Sequence, residues 1–150
     1  MIDPFTLATG IVGILSLTIQ VAQITSEFVT SVKDAPTAAT ELLQELNSLI
    51  AVLKRLDHFL QTERSKNPLP FLETSVICST SNSCDKKMKT LRARLPRFTD
   101  GNKISGLLRR LKWPIDEKES QQIVEDVHQY TQTFAFALYA QWLVISSILI

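Results

Sequence analysis

Residues Pro4 to Ser26 (PFTLATGIVGILSLTIQVAQITS) run for 23 positions without a formal charge, and no other stretch limits the fold as strongly. Asp3 can accept hydrogen bonds from the free N–H groups of a first helical turn. Pro4 suits the first helical position, where an N–H is not needed. As an α-helix the stretch reaches about 34 Å, enough to cross a bilayer core of about 30 Å. Its wheel has two faces: Thr6, Thr9, Gly10, Gly13, Ser16, Gln20 and Gln23 share one, and Leu7, Ile11, Ile14, Leu15, Val21 and Ile24 the other. Two homes suit such a helix. One is the interior of a helical bundle, where small residues permit close backbone approach; the other is a membrane assembly that uses the same Gly-rich face. Burial in a soluble bundle is the expected resting state.

The rest of the chain points to helices as well. With 150 residues, 45% of them hydrophobic and only four glycines and six prolines, it is too apolar for disorder and too poor in turn residues for a many-stranded β fold. One domain with a sizeable core is expected. The first helix is predicted to continue to about Lys33 and to break at Asp34-Ala35-Pro36. So short a connection favours an antiparallel second helix, from Thr37 to about Glu63. Its Leu42, Leu46, Leu49, Leu53, Leu56 and Leu60 alternate steps of four and three, the seam of a bundle.

Arg64 to Pro70 reads as a turn. A third helix follows from about Phe71 to Leu95, with a stripe of Ile77, Cys84, Met88, Leu91 and Leu95; the weak helix formers Ser79 to Ser83 loosen its middle. After a loop at Pro96 to Asn102 comes a short helical piece, Ile104 to Leu111. A fourth long helix begins at Asp116, where Asp116 and Glu119 form a capping-box-like pair, and carries Ile123, Val127, Tyr130, Phe134, Leu138 and Ile145 on one stripe. The expected architecture is therefore all-α: an antiparallel bundle of about four long helices plus a short helix before the last. The first helix is expected to bury its apolar face against the second and fourth.

A net charge of +1 hides a strong asymmetry. Lys86, Lys87, Lys89, Arg92, Arg94, Arg97, Lys103, Arg109, Arg110 and Lys112 lie in one stretch with a single acid, Asp100, a local charge of +9. Such a cluster attracts anionic lipid headgroups at roughly 1 kcal/mol per basic side chain. Nucleic acid ranks lower, because few aromatics are interleaved and no recognition pattern appears. The plainer alternative is a solvated face paired with the acidic start of the fourth helix.

No phosphate loop, nucleophile elbow or metal-binding spacing is present, so neither an enzyme, a cofactor nor a metal is expected. No small-molecule substrate is evident. His58 and His128 are isolated. Cys78 and Cys84, six apart on one helix, should be free thiols in a reducing cytosol. The opening Met-Ile-Asp-Pro lacks the positive region of a secretory signal, which points to a cytoplasmic chain, with recruitment to membrane as a further option.

The opening residues, the leucine seam after Asp34-Ala35-Pro36, and the run GLLRRLKWPIDEKESQQIVEDVHQYTQTFAFAL together resemble the N-terminal HeLo-like domains of fungal STAND (NLR-like) proteins over about residues 1 to 140. The most specific parts are Asp3-Pro4 with the uncharged first helix, and Leu111-Lys112-Trp113-Pro114 leading to Tyr130-Thr131-Gln132-Thr133-Phe134. A similar domain occurs in a protein of an azaphilone pigment gene cluster. The resemblance implies a helical bundle that self-associates or meets homologous helical domains, and in characterised relatives inserts its first helix into membrane during programmed cell death.

Mapped onto this chain, Leu7, Ile11, Ile14 and Leu15 would carry insertion and Gly10 and Gly13 helix contact, while Lys86, Lys87, Lys89, Arg92, Arg94, Arg97, Arg109, Arg110 and Lys112 would meet anionic lipid. The alternatives are an adaptor that never enters lipid and an accessory protein of a secondary-metabolite cluster. Phe134 to Ile150 departs from the resemblance: it is uncharged, and reads as the apolar end of a bundle helix, a marginal tail anchor of about 25 Å, or an unconstrained end.

Overall fold

The computed structural model describes residues 4–32, 34–66, 74–95 and 113–149. They form four helices: α1 (Pro4–Ser31), α2 (Thr37–Lys66), α3 (Thr74–Arg94) and α4 (Glu117–Leu149). No strand occurs among the described residues. The short helical piece expected at Ile104 to Leu111, the loop before it and the Asp3 cap lie outside them. α2 runs three residues past the expected end at Glu63, and the Ser79 to Ser83 stretch is held in an unbroken α3.

Local chemistry sets the ends. The Pro36 carbonyl accepts from the N–H groups of Ala39 (3.0 Å) and Thr40 (3.3 Å), opening α2. Asp116 caps α4, its carboxylate accepting from the Glu119 N–H at 2.8 Å. The Glu119 side chain does not close the box in return; it accepts from Arg94 of α3.

The helices form a square in which α1 touches α2 and α3, and α4 touches α2 and α3. The expectation that α1 packs on the second and fourth helices is thus half corrected. α4 lies diagonally across the core, and α3, joined to α4 by Lys87–Asp126 (3.1 Å) and Arg94–Glu119, takes the place beside α1. Those two pairs run in opposite sequence order, so α3 and α4 are antiparallel. Phe28, near the end of α1, meets Trp113, just before α4, with ring centroids 5.1 Å apart. The first turns of α1 and α3 and the last turns of α4 therefore share one end of the bundle. The ion pairs between α3 and α4 lie toward the other.

Most of the buried side chains form one cluster, with Phe28 and Ile145 buried outside it. Each leucine of the α2 seam is buried, as are Ile77, Cys84, Met88, Leu91 and Leu95 of α3 and Ile123, Val127, Phe134, Ala137 and Ile145 of α4. α1 contributes Leu7, Ile11, Ile14, Thr18, Val21, Thr25 and Phe28, a heptad-like seam with steps of four and three. The two threonines fit because their hydroxyls donate to the carbonyls of Ile14 (2.7 Å) and Val21 (2.8 Å), leaving only methyl groups for the interior.

Among the described residues one buried side-chain polar atom has no such partner: the Ser81 hydroxyl of α3 is buried and unbonded. Ser81→Ala removes the desolvated group and improves helix propensity, so we expect it to stabilise the bundle by about 0.5–1.5 kcal/mol in urea unfolding.

Candidate functional site

α1 holds most of the residues singled out by sequence. Leu7, Ile11 and Ile14 are buried in the core, and Leu15 is half-buried at its edge. Six large side chains of this helix (Leu7, Ile11, Ile14, Leu17, Val21 and Phe28) are buried, worth about 9–18 kcal/mol at 1.5–3 kcal/mol each. That is comparable with the whole stability of a domain, about 5–15 kcal/mol. α1 is an integral part of the bundle.

The opposite face of α1 is open. Thr6, Thr9, Gly10, Val12, Gly13, Ser16, Gln20 and Gln23 are all exposed. Gly10 and Gly13 make no close approach within the bundle, since a Cβ built on either meets nothing within 4 Å. Neither has the positive φ that would require glycine. Replacing both by alanine should therefore raise stability by about 1–2 kcal/mol, or about 3–6 °C in melting temperature, through helix propensity alone. Differential scanning calorimetry reads this directly.

This open face carries no charge from Thr6 to Gln23, about five helical turns. The exposed face of α2, in contrast, presents Glu41, Lys54 and Arg55. Burial explains the apolar side of α1 and leaves the uncharged outer side unexplained. Among the described residues α1 supplies the single candidate membrane span, Thr6–Ser31, by length and composition.

The basic stretch is only partly within view, because Arg97, Lys103, Arg109, Arg110 and Lys112 lie outside the described residues. Of the others, Lys87 pairs with Asp126, Lys89 with Asp85 (2.8 Å) and Arg94 with Glu119, while Arg92 donates to Gln20 of α1 at 3.2 Å. Lys86 is exposed. The α3 cations thus engage neighbouring side chains, two of them at the acidic start of α4, in surface pairs worth about 0–1 kcal/mol each.

Titratable groups in the interior are not activated. Burial, with Asp85 adding to it, pushes the Cys84 thiol up to about 12, and burial also raises Cys78 and Tyr130. All three stay protonated at neutral pH, so neither thiol is an activated nucleophile. Both cysteines are free. No group of three or more His, Cys, Asp and Glu converges to hold a metal among the described residues.

Two features escaped the sequence reading. Trp113 packs on Phe28, and its Nε1–H donates to the Ser120 hydroxyl at 2.9 Å, closing the bundle where α1 ends and α4 begins. The α4 outer face is the other: Phe136, Tyr139, Trp142 and Leu143 are all exposed. Their spacing of three and four was legible, but the direction in which they point was not.

Fold and surfaces together define a four-helix bundle module with one uncharged outer helix face and an apolar end. The family model described as the N-terminal domain of pigment biosynthesis cluster protein PigL matches residues 2–140, and the chain belongs to that family. This agrees with the likeness to a pigment-cluster protein. Comparison with curated proteins and with solved structures returns no match.

Proposed function

We propose that this domain is a non-enzymatic helical module that works at a membrane. It is a folded bundle at rest, and its α1 exchanges contacts with α2 and α3 for lipid once the bundle is opened. One observation carries the reading: the solvent-facing side of α1 has no charge over five turns, although a soluble bundle gains nothing by excluding charge there. A bilayer does impose that rule, since a charge at the centre of a spanning helix costs about 2.5–3.5 kcal/mol. The likeness to HeLo-like domains of fungal STAND proteins supports the same reading, with cell death as the output. The family's description supports a setting accessory to pigment biosynthesis.

Magnitudes indicate that the resting state is the bundle. The nine Leu, Ile and Val side chains from Leu7 to Ile24 gain about 3–5 kcal/mol in lipid, less than the burial they leave. Release therefore needs a stimulus, and self-association through the open Gly10 and Gly13 face is the one we favour. Release of trapped dye from phospholipid vesicles tests the proposal. The purified chain should release dye under conditions that promote self-association, and vesicles that stay intact under all of them contradict it.

A second reading, an adaptor that binds homologous helical domains and never enters lipid, is favoured by the full engagement of the α1 seam in the core. An adaptor keeps partner binding and shows no dye release.

A further inference from the structure

We propose that the bundle first meets a neutral lipid surface through the outer stripe of α4, formed by Phe136, Tyr139, Trp142 and Leu143. The inference rests on the membrane reading above and names the surface that makes contact before any release of α1.

The stripe begins abruptly. Gln121, Glu125, His128 and Gln132 are exposed along one line of α4, and the same line continues as Phe136, Tyr139 and Leu143. Polar residues thus give way to apolar ones on a face that stays in solvent throughout. Phe136 is 67% exposed, Tyr139 60%, Trp142 58% and Leu143 48%. Together they present on the order of 400 Å² of side-chain surface, taking 150–250 Å² for each large aromatic. That is the size of a typical monomer's largest apolar patch, about 300–600 Å², which is often functional. It is also about half of what each partner buries in a stable dimer, roughly 800 Å². The patch is only eight residues long, too small by itself to supply a dimer interface of that size.

A bilayer interface fits better, because it accepts a small and shallow contact. Trp142 and Tyr139 combine an apolar body with one polar tip, the chemistry favoured at the headgroup level. Their surroundings agree. The antiparallel arrangement brings three uncharged segments to this end: the first turns of α1, Thr74 to Cys84 of α3 with exposed Val76, and Phe134 onward in α4. Only α2 brings charge to this half, with Lys54 and Arg55 on its exposed side, Asp57 beside them, and Glu63, Arg64 and Lys66 in its last turn. The cation pairs of α3 with α4, Lys87–Asp126 and Arg94–Glu119, lie toward the other end. Docking by the apolar end places the start of α1 at the lipid surface.

Co-sedimentation of the purified chain with pure phosphatidylcholine vesicles tests this, alongside the variant carrying Phe136→Ser and Trp142→Ser. Both positions are exposed, and circular dichroism checks that the variant stays folded. The expected result is binding by the unaltered chain that is insensitive to salt, weakened at least tenfold in the variant. Equal binding by the two proteins overturns the inference. So does binding that requires anionic lipid and disappears at high salt, which would assign contact to the basic stretch. A dimer that the variant converts to monomer, with no vesicle binding by either protein, assigns the patch to a second copy instead. Dye release separates this inference from the functional reading. A chain that docks through α4 and releases no dye keeps the inference and removes the role of α1, whereas dye release with docking unaffected by the variant does the opposite.

Discussion

Replacing Ser16 by lysine is expected to leave the bundle as stable as before and to reduce dye release from vesicles about 100-fold. Ser16 is exposed near the midpoint of the uncharged stretch, so in the bundle the new ammonium stays in water, and a surface change of this kind shifts stability by about 0.5 kcal/mol or less. In a helix spanning lipid the same charge lies near the bilayer centre and costs about 2.5–3.5 kcal/mol, where each 1.4 kcal/mol is tenfold. Few substitutions separate the two environments so cleanly. Leu15→Glu, by comparison, strikes a half-buried side chain packed on the core and would weaken fold and insertion together. Gly13→Lys should lower dye release too, but it also gains helix propensity and touches the self-association face, so Ser16→Lys is the cleaner change.

The largest effect on the fold is expected at Phe28. Phe28→Ala should cost about 3–5 kcal/mol in urea unfolding, because the ring is fully buried and its removal leaves a cavity as well as losing apolar burial. The Trp113 ring loses its aromatic partner in the same step. That contact joins the end of α1 to the start of α4, two elements that otherwise face each other only across the diagonal of the square. Phe28→Leu keeps most of the volume and should recover more than half of the loss. Equal destabilisation by both variants would mean that aromatic geometry, rather than filled space, holds this corner.

Much of the bundle can be read from the chain because its signals are local. The α2 leucine seam is buried position by position, and Asp116 caps α4 where the acidic first turn and preceding proline point. α1 was harder to read. Its core line passes through Thr18 and Thr25, which look polar in sequence and become apolar only once their hydroxyls bond to the preceding turn. Leu15 and Ile24, apolar in sequence, consequently fall at the margin of the core. Which helices neighbour α1 depends on how the connections cross, and a heptad pattern is silent on that. For the same reason the α4 stripe from Phe136 to Leu143 gives no sign in sequence of facing water. Its periodicity matches that of a buried seam, and only the packing of Phe134, Ala137 and Ile145 inward turns it outward.

The most direct test is the depth of residue 16. A nitroxide label on Ser16→Cys, in a background of Cys78→Ser and Cys84→Ala, reports by electron paramagnetic resonance whether its surroundings admit a water-soluble nickel complex or dissolved oxygen. In solution the label should be open to nickel, as the exposed face requires. After addition of vesicles under self-associating conditions it should become shielded from nickel and accessible to oxygen, as in the hydrocarbon centre. A label that stays open to nickel while the protein is vesicle-bound would contradict the exchange of α1 between bundle and lipid.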